Sequence, residues 1–243
     1  MSKGFGGERN IRDARLHNVT LTKPDHMSGG VPFARPGVAY TLRNALYLSL
    51  TNECNATPLT RTRGPGFTMP SHSGFVQLSG AEPTANELAR VVDAFYARDD
   101  LTIASSGESD PGVVFAGYGE PLLRAERLCE AVREIRELRH GVALRANTNG
   151  LVDAKVAGML ADAGVRAITV ALNASNPEEY ERVMAPVGGR GFTDVLEFIQ
   201  AAVEAGIEVE GTCVRTPGVD TAATRRLAMA LGCVDFRERE YFK

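Results

Sequence analysis

Short apolar runs alternate with longer amphipathic stretches along most of the chain, and this alternation is the clearest pattern in the sequence. Short continuous apolar runs are typical of buried strands, whereas apolar residues spaced three and four positions apart are typical of helices. Strands are predicted at residues 45–50, 113–116, 142–146, 167–172, 207–214 and 234–237. Helices are predicted at residues 83–98, 121–140, 156–163, 177–184, 193–205 and 222–231.

Strands that alternate with helices predict a parallel sheet with right-handed crossovers. Six such units fit an incomplete (βα)6 barrel or a doubly wound sheet, and the periodicity does not separate the two. In both architectures ligands bind where the strands end. We assign residues 38–243 to this α/β unit and residues 1–37, which lack periodicity, to an irregular N-terminal arm. The loop at residues 51–82 is long enough to be functional or disordered.

Composition and charge exclude several classes of protein. Hydrophobic residues make up 44% of the 243 positions and charged residues 23%, as in an average globular protein. No run of about 18 uncharged apolar residues is present, so we expect no membrane span. With 27 basic and 30 acidic side chains, the net charge of −3 lacks the basic excess of a general nucleic-acid binder. We expect a cytoplasmic protein, with organelle targeting left open.

Polar clusters follow the first five predicted strands. They are Thr51-Asn-Glu-Cys54, Gly117-Tyr-Gly-Glu120, Asn147-Thr-Asn149, Asn173-Ala-Ser175 and Arg215-Thr-Pro-Gly-Val-Asp220. Glycine lets a backbone approach a ligand closely, a glutamate accepts from a cationic group, and asparagine suits hydroxyl and carboxylate groups. Glycine and asparagine are also ordinary turn residues. Because these clusters share one edge of a parallel sheet, together they predict a polar binding pocket.

The segments at residues 45–54, 113–124, 144–150 and 168–174 resemble the radical S-adenosylmethionine (radical SAM) family, and most closely its TatD-associated branch. The resemblance covers residues 39–242 and implies a six-stranded partial barrel. In this family the glycine-rich motif after the second strand binds the methionine amino group of S-adenosylmethionine. The resemblance therefore implies that Gly117, Tyr118, Gly119 and Glu120 bind this cofactor, with Asn147, Asn149 and Asn173 beside its ribose or carboxylate.

The sequence departs from the family at the iron–sulfur motif Cys-x3-Cys-x2-Cys. Cys54 matches the first cysteine, but Pro58 and Arg61 occupy the other two positions. Proline has no ligating atom, and a protonated guanidinium does not bind iron. The other cysteines are interpreted as core thiols at positions 129 and 233, on predicted helices, and as a strand thiol near the pocket mouth at position 213. We therefore expect no conventional 4Fe–4S cluster, with Cys54 as a vestigial metal ligand.

The leading hypothesis is a radical SAM-like protein that has lost its cluster and binds S-adenosylmethionine or a related nucleoside or anion. Arg61 and Arg63, in the loop where the cluster would lie, are candidate anion ligands. One alternative is an active radical enzyme whose cluster is held by Cys54 with other ligands or a second subunit. Another is a non-catalytic scaffold that partners a TatD-type hydrolase. Whether the protein is an enzyme stays open at this point.

Overall fold

The computed structural model describes residues 34–97 and 112–243, so most of the predicted N-terminal arm lies outside the described residues. The strands are β1 (Ala39–Leu42), β2 (Ala45–Leu48), β3 (Val113–Phe115), β4 (Leu144–Thr148), β5 (Ala167–Ala171), β6 (Glu208–Val214) and β7 (Asp235–Arg239). The helices are α1 (Leu59–Thr62), α2 (Ala85–Tyr96), α3 (Ala125–Leu138), α4 (Lys155–Ala163), α5 (Pro177–Met184), α6 (Phe192–Glu204) and α7 (Thr221–Ala230). Among the described residues, none of these helices is long and apolar enough to cross a membrane.

The strands form one sheet in their order along the chain, from β1 to β7. β1 pairs antiparallel with β2, and each of the following pairs is parallel. In a doubly wound sheet the strand order reverses at a switch point. Here the order never reverses, so right-handed crossovers place the connecting helices on the same face. The other face lines the inside of a partial barrel, which confirms the predicted α/β fold class.

The two faces of the sheet carry different residues because side chains alternate along each strand. In β4, Leu144 and Ala146 are buried against the helices, whereas Arg145 and Asn147 lie on the opposite face and are partly exposed. The main core therefore lies between the sheet and its helices, and it includes fully buried Phe115. The inner face carries polar and small side chains together with the rings of Tyr40 and Tyr47.

The structure corrects the sequence prediction in several places. β1 is absent from that prediction, and it forms a hairpin with β2 through Arg43 and Asn44, which both have positive φ (51° and 63°). β4 begins and ends two residues later than predicted, so Asn147 lies within the strand instead of after it. Cys233, predicted on a helix, lies between α7 and β7, because Gly232 ends the helical path with a φ of 93°.

The long loop after β2 is held by the last residues of the chain. The Phe242 N–H donates to the Arg63 carbonyl (2.7 Å), and the Gly66 N–H donates to the Phe242 carbonyl (3.4 Å). Nε of Arg63 also donates to the Glu240 carbonyl (2.7 Å). A Cβ atom at Gly64 would lie 2.1 Å from the Phe242 carbonyl oxygen. The loop therefore joins the end of β7 only because glycine lets the two backbones approach.

We expect Gly64→Ala to lower the free energy of unfolding by about 2–4 kcal/mol, because Gly64 has a φ of +95° and no room for a Cβ atom. Gly158→Ala is the matched control, since Gly158 lies in α4 with nothing within 4 Å of an added Cβ atom. The control should raise stability by about 0.5–1 kcal/mol. Urea unfolding measures both changes, and equal stability of the two variants would contradict this account.

Candidate functional site

A cavity of about 180 Å³ opens on the inner face of the sheet, between the strands and the loop that follows β2. Strands β4, β5 and β6 contribute the polar side chains of Asn147, Thr169 and Thr212. The loop contributes Arg63 and Phe67, among others. Barrels of parallel strands bind ligands at the carboxyl ends of their strands. The cavity is therefore the candidate functional site.

The residues predicted from the sequence divide between the cavity wall and the framework behind it. The wall includes Gly117, Asn147, Asn173 and Arg63. The residues outside the wall are Tyr118, Gly119, Glu120, Asn149, Arg61 and Cys54. Ligand binding by any of these residues stays a prediction. Their contacts within the protein distinguish residues that line the cavity from residues that hold its loops in place.

Glu120 is buried, and both of its carboxylate oxygens are engaged within the protein. Oε1 accepts hydrogen bonds from the Leu122 N–H (2.9 Å) and the Thr148 hydroxyl (2.7 Å), and Oε2 accepts from the Asn149 N–H (2.8 Å). Burial raises the pKa of Glu120 to about 7, and the three hydrogen bonds oppose that rise. The carboxylate thus fastens the loop after β3 to the end of β4.

The glycines of the motif after β3 allow two loops to pack against each other. A Cβ atom at Gly117 would lie 2.3 Å from the hydroxyl oxygen of Ser49, and one at Gly119 would lie 2.3 Å from the Glu53 carbonyl oxygen. The Gly119 N–H donates to the Thr51 carbonyl (3.2 Å) in the same contact. Close approach of these backbones is therefore sufficient to explain the absence of side chains at both glycines.

Asn149 connects this framework to the loop that holds Cys54. Its Nδ2 donates to Oδ1 of Asn55 (2.8 Å) and lies 4.0 Å from Sγ of Cys54, while its Oδ1 accepts from the Leu151 N–H (2.9 Å). The carboxamide is consequently used within the protein. Cys54 is half-buried, and burial raises the pKa of its thiol, which disfavours the thiolate that binds metals.

The cysteines of this chain do not fit a cluster held by three thiolates. Cys129, Cys213 and Cys233 are buried in the core on the helix side of the sheet. Cys213 alternates with the inner-face residues of β6, which corrects its predicted place near the pocket mouth. Within residues 34–97 and 112–243, no three histidine, cysteine, aspartate or glutamate side chains are grouped for a metal. Pro58 caps α1, and Arg61 on α1 is exposed.

Asn147 and Asn173 are the asparagines that face the cavity. Asn173 has a φ of 56°, and its Oδ1 accepts from the Val214 N–H (2.9 Å) while Nδ2 lies 3.1 Å from Sδ of Met184. The carboxamide of Asn147 makes no hydrogen bond to any other described residue, so both its donor and its acceptor are available to a ligand.

An aromatic wall that the sequence analysis missed lines one side of the cavity. It consists of Tyr40, Tyr47 and Phe75. The rings of Tyr40 and Tyr47 stack with their centroids 4.8 Å apart, and Phe75 meets Tyr40 edge-on at 5.0 Å. Tyr118 stacks on the far side of Phe75 at 6.2 Å. No local sequence pattern predicts this wall, because β1 and the long loop bring its residues together from separate parts of the chain.

A family model described as the radical SAM superfamily matches residues 82–223, more than half of the chain. The GTP 3′,8-cyclase of Microcystis aeruginosa is 32% identical over 111 residues, which make up 45% of this chain and 33% of the cyclase. The GTP 3′,8-cyclase of Brucella ovis is 42% identical over 94 residues, which make up 38% of this chain and 26% of the cyclase. The chain thus matches about a third or less of the length of these relatives.

Solved structures with the same fold include Streptococcus suis SuiB bound to S-adenosylmethionine. That comparison gives a TM-score of 0.56 at 14% identity, over 82% of this chain and 39% of SuiB. TYW1 with a lysine–pyruvate adduct bound gives a TM-score of 0.56 at 12% identity, over 82% of this chain and 65% of TYW1. At these identities the likeness shows the fold alone, and it agrees with the partial barrel described above.

The raised pKa of Glu120 predicts a pH-dependent stability. Between pH 4.5 and about 7 the folded state binds a proton that the unfolded state has released, so the free energy of unfolding should fall as the pH rises through this range. The loss should be on the order of 3 kcal/mol. Glu120→Gln, which cannot titrate, should remove this part of the slope.

Urea unfolding across this pH range checks the prediction, with Glu126→Gln as the control because Glu126 lies exposed on α3. The control should keep the wild-type slope. An unchanged slope in Glu120→Gln would show that this carboxyl does not titrate in the range.

Proposed function

Because the chain belongs to the radical SAM superfamily, we propose that its inner cavity binds S-adenosylmethionine or a related nucleoside without a conventional 4Fe–4S cluster. The observation that carries the proposal is the cavity itself, which combines an unpaired Asn147 carboxamide with an aromatic wall at the end of the strands. SuiB, which shares the fold, has been solved with S-adenosylmethionine bound.

The cavity residues fit an adenosyl group by their chemistry. Flat aromatic side chains such as Tyr47 and Phe75 suit the faces of a purine base. The carboxamide of Asn147 suits a ribose hydroxyl or the methionine carboxylate, since it can donate and accept. The loop after β3, held by Glu120, brings the Gly117 backbone to the same wall. These residues bind and orient the ligand in the proposal.

The cysteines support the absence of a conventional cluster. In radical SAM chemistry the cluster supplies the electron that cleaves S-adenosylmethionine, and it needs three protein thiolates. The motif that begins at Cys54 lacks its second and third cysteines. The loss of a working cluster motif is therefore part of the proposal. We therefore assign no radical step to this chain by itself.

A second candidate is an active radical enzyme in which Cys54 shares a cluster with other ligands or a second subunit. The observation that favours it is the partial exposure of Cys54, in contrast to the three buried cysteines. Membership of the TatD-associated branch rests on the sequence motifs, and a TatD-type hydrolase as partner rests on the name of that branch. Both remain parts of the proposal, as does the cytoplasmic location expected from the sequence.

The test combines iron analysis with ligand binding on protein purified and reconstituted without air. We expect iron close to zero and measurable binding of S-adenosylmethionine by isothermal titration calorimetry. Saturation at a hundred times the dissociation constant should add about 2.7 kcal/mol to stability. GTP, a nucleoside triphosphate that appears in the name of the matched cyclases, is titrated beside it as a second ligand.

Asn147→Ala should weaken binding of S-adenosylmethionine by about tenfold, because it removes the unpaired hydrogen-bonding group of the cavity. Asn86→Ala, on the exposed face of α2, is the control and should bind as the wild type does. Stoichiometric iron that is lost in Cys54→Ser would favour the active enzyme instead. If the protein holds no iron and binds no nucleoside, both candidates are contradicted and a non-catalytic scaffold is left.

A further inference from the structure

The described residues of the inner face of the partial barrel include more arginines than nearby carboxylates that could neutralise them. Arg145 lies on β4, and Arg237 and Arg239 lie on β7 beside the cavity residues Thr212 and Val214 of β6. Side-chain alternation therefore turns all three arginines toward the interior. The long loop adds a fourth cation, Arg63, to the cavity wall.

Among the described residues, the Glu210 carboxylate faces Arg237 and Arg239 from the middle of the sheet, and the charge of Glu240 acts on Arg63. The Glu210 carboxylate accepts hydrogen bonds from Nη2 of Arg237 and from the Thr169 hydroxyl (3.0 Å). The other acids of this face, Glu208 and Asp235, lie exposed at the opposite end of their strands. Glu210 is consequently bonded to Arg237, and its charge also acts on Arg239.

Several of the guanidinium nitrogens have no acceptor. Nε of Arg145 and Nε of Arg237 are buried without a hydrogen bond. Within the described part of the chain, the Arg239 side chain makes neither a hydrogen bond nor an ion pair, although it lines the cavity. Arg63 uses Nε for the Glu240 carbonyl, and its guanidinium lies over the Phe67 ring at 4.7 Å. Arg239 and Arg63 line the cavity, so their unpaired donors are available to a ligand, whereas Arg145 and Arg237 lie behind the wall.

The electrostatics point in the same direction. Burial, together with the nearby charges of Arg237 and Arg63, lowers the pKa of Arg239 to about 10, against the opposing effect of Glu210. Burial also lowers the pKa of Arg63, against the charge of Glu240. Both guanidinium groups remain protonated at neutral pH. Desolvated cations beside one another are costly unless an anion joins them.

We propose that the inner face of the barrel binds the oxyanion of a second small molecule, a carboxylate or a phosphate, through Arg239 and Arg63 with support from Arg237. A guanidinium presents two parallel N–H donors that match either oxyanion. The inference rests on the proposed function in taking this cavity as the ligand site, and it adds the chemical class of the substrate. It also separates Arg63 from the exposed Arg61, which does not line the cavity.

The experiment titrates pyrophosphate and succinate into the full-length protein without S-adenosylmethionine, at an ionic strength matched with sodium chloride. We expect at least one of the two anions to bind and to raise the melting temperature beyond the chloride control. Pyrophosphate alone identifies a phosphate site, and succinate alone identifies a carboxylate site. If neither pyrophosphate nor succinate raises the melting temperature more than sodium chloride does, the proposal is overturned.

Arg239→Gln should weaken anion binding by about tenfold or more. Because it removes an unpaired and partly desolvated cation, its melting temperature in anion-free buffer should equal or exceed that of the wild type. Arg63→Gln is the second variant for anion binding. Arg226→Gln, exposed on α7, is the control and should bind as the wild type does. Wild-type affinity in both Arg239→Gln and Arg63→Gln would contradict the assignment.

A separate titration with S-adenosylmethionine distinguishes the two proposals. If anions bind but S-adenosylmethionine does not, the proposed nucleoside function is wrong and the oxyanion site stands. If S-adenosylmethionine binds and neither anion does, the oxyanion site is wrong and the nucleoside function stands.

Discussion

The buried carboxylate of Glu120 is the contact on which the geometry of the candidate site depends. Its oxygens accept hydrogen bonds from Leu122, Thr148 and Asn149, and its own N–H donates to the Glu53 carbonyl. A buried carboxylate is costly unless such donors satisfy it. The same donors therefore hold the loops after β2, β3 and β4 at fixed separations. The loops after β2 and β3 contribute Arg63, Phe67 and Gly117 to the cavity wall, so the shape of the cavity depends in part on a side chain that does not line it.

Asn147 and Asn149 show why a polar residue at the end of a strand is not automatically a ligand. Asn147 is still part of β4, and strand alternation presents its carboxamide to the cavity. Asn149 follows the last residue of β4, where the chain has begun to turn, and its carboxamide bonds to Asn55 and the Leu151 backbone. The two side chains are chemically identical and two positions apart. Their roles differ because one belongs to the sheet and the other builds the frame around it.

Periodicity predicted the six parallel strands and their helices because each strand is buried and each helix carries an apolar face. The extra strand β1 escaped prediction because the chain turns into β2 through Arg43 and Asn44, whereas the usual hairpin signal is a glycine at such positive φ values. The edge of the sheet that holds the site was predictable from topology. The identity of the side chains that enter the cavity was not predictable, because it depends on the residue at which each strand ends. The contact between Gly64 and Phe242 was also out of reach, since it joins distant parts of the chain.

Charge adds a further distinction that sequence alone does not make. Arg61 and Arg63 are equal candidates by position and type, but α1 exposes Arg61, whereas Arg63 follows the helix and its guanidinium lies over the rings of Phe67 and Phe242. Arg63 thereby reaches the same cavity as Arg239, which belongs to a strand more than 170 residues later in the chain. Two cations brought together from such distant positions repel one another, and the charge of Arg63 lowers the pKa of Arg239. A fold that tolerates this repulsion on its inner face, while it satisfies the buried carboxylate of Glu120 completely, is organised to receive negative charge from outside the chain.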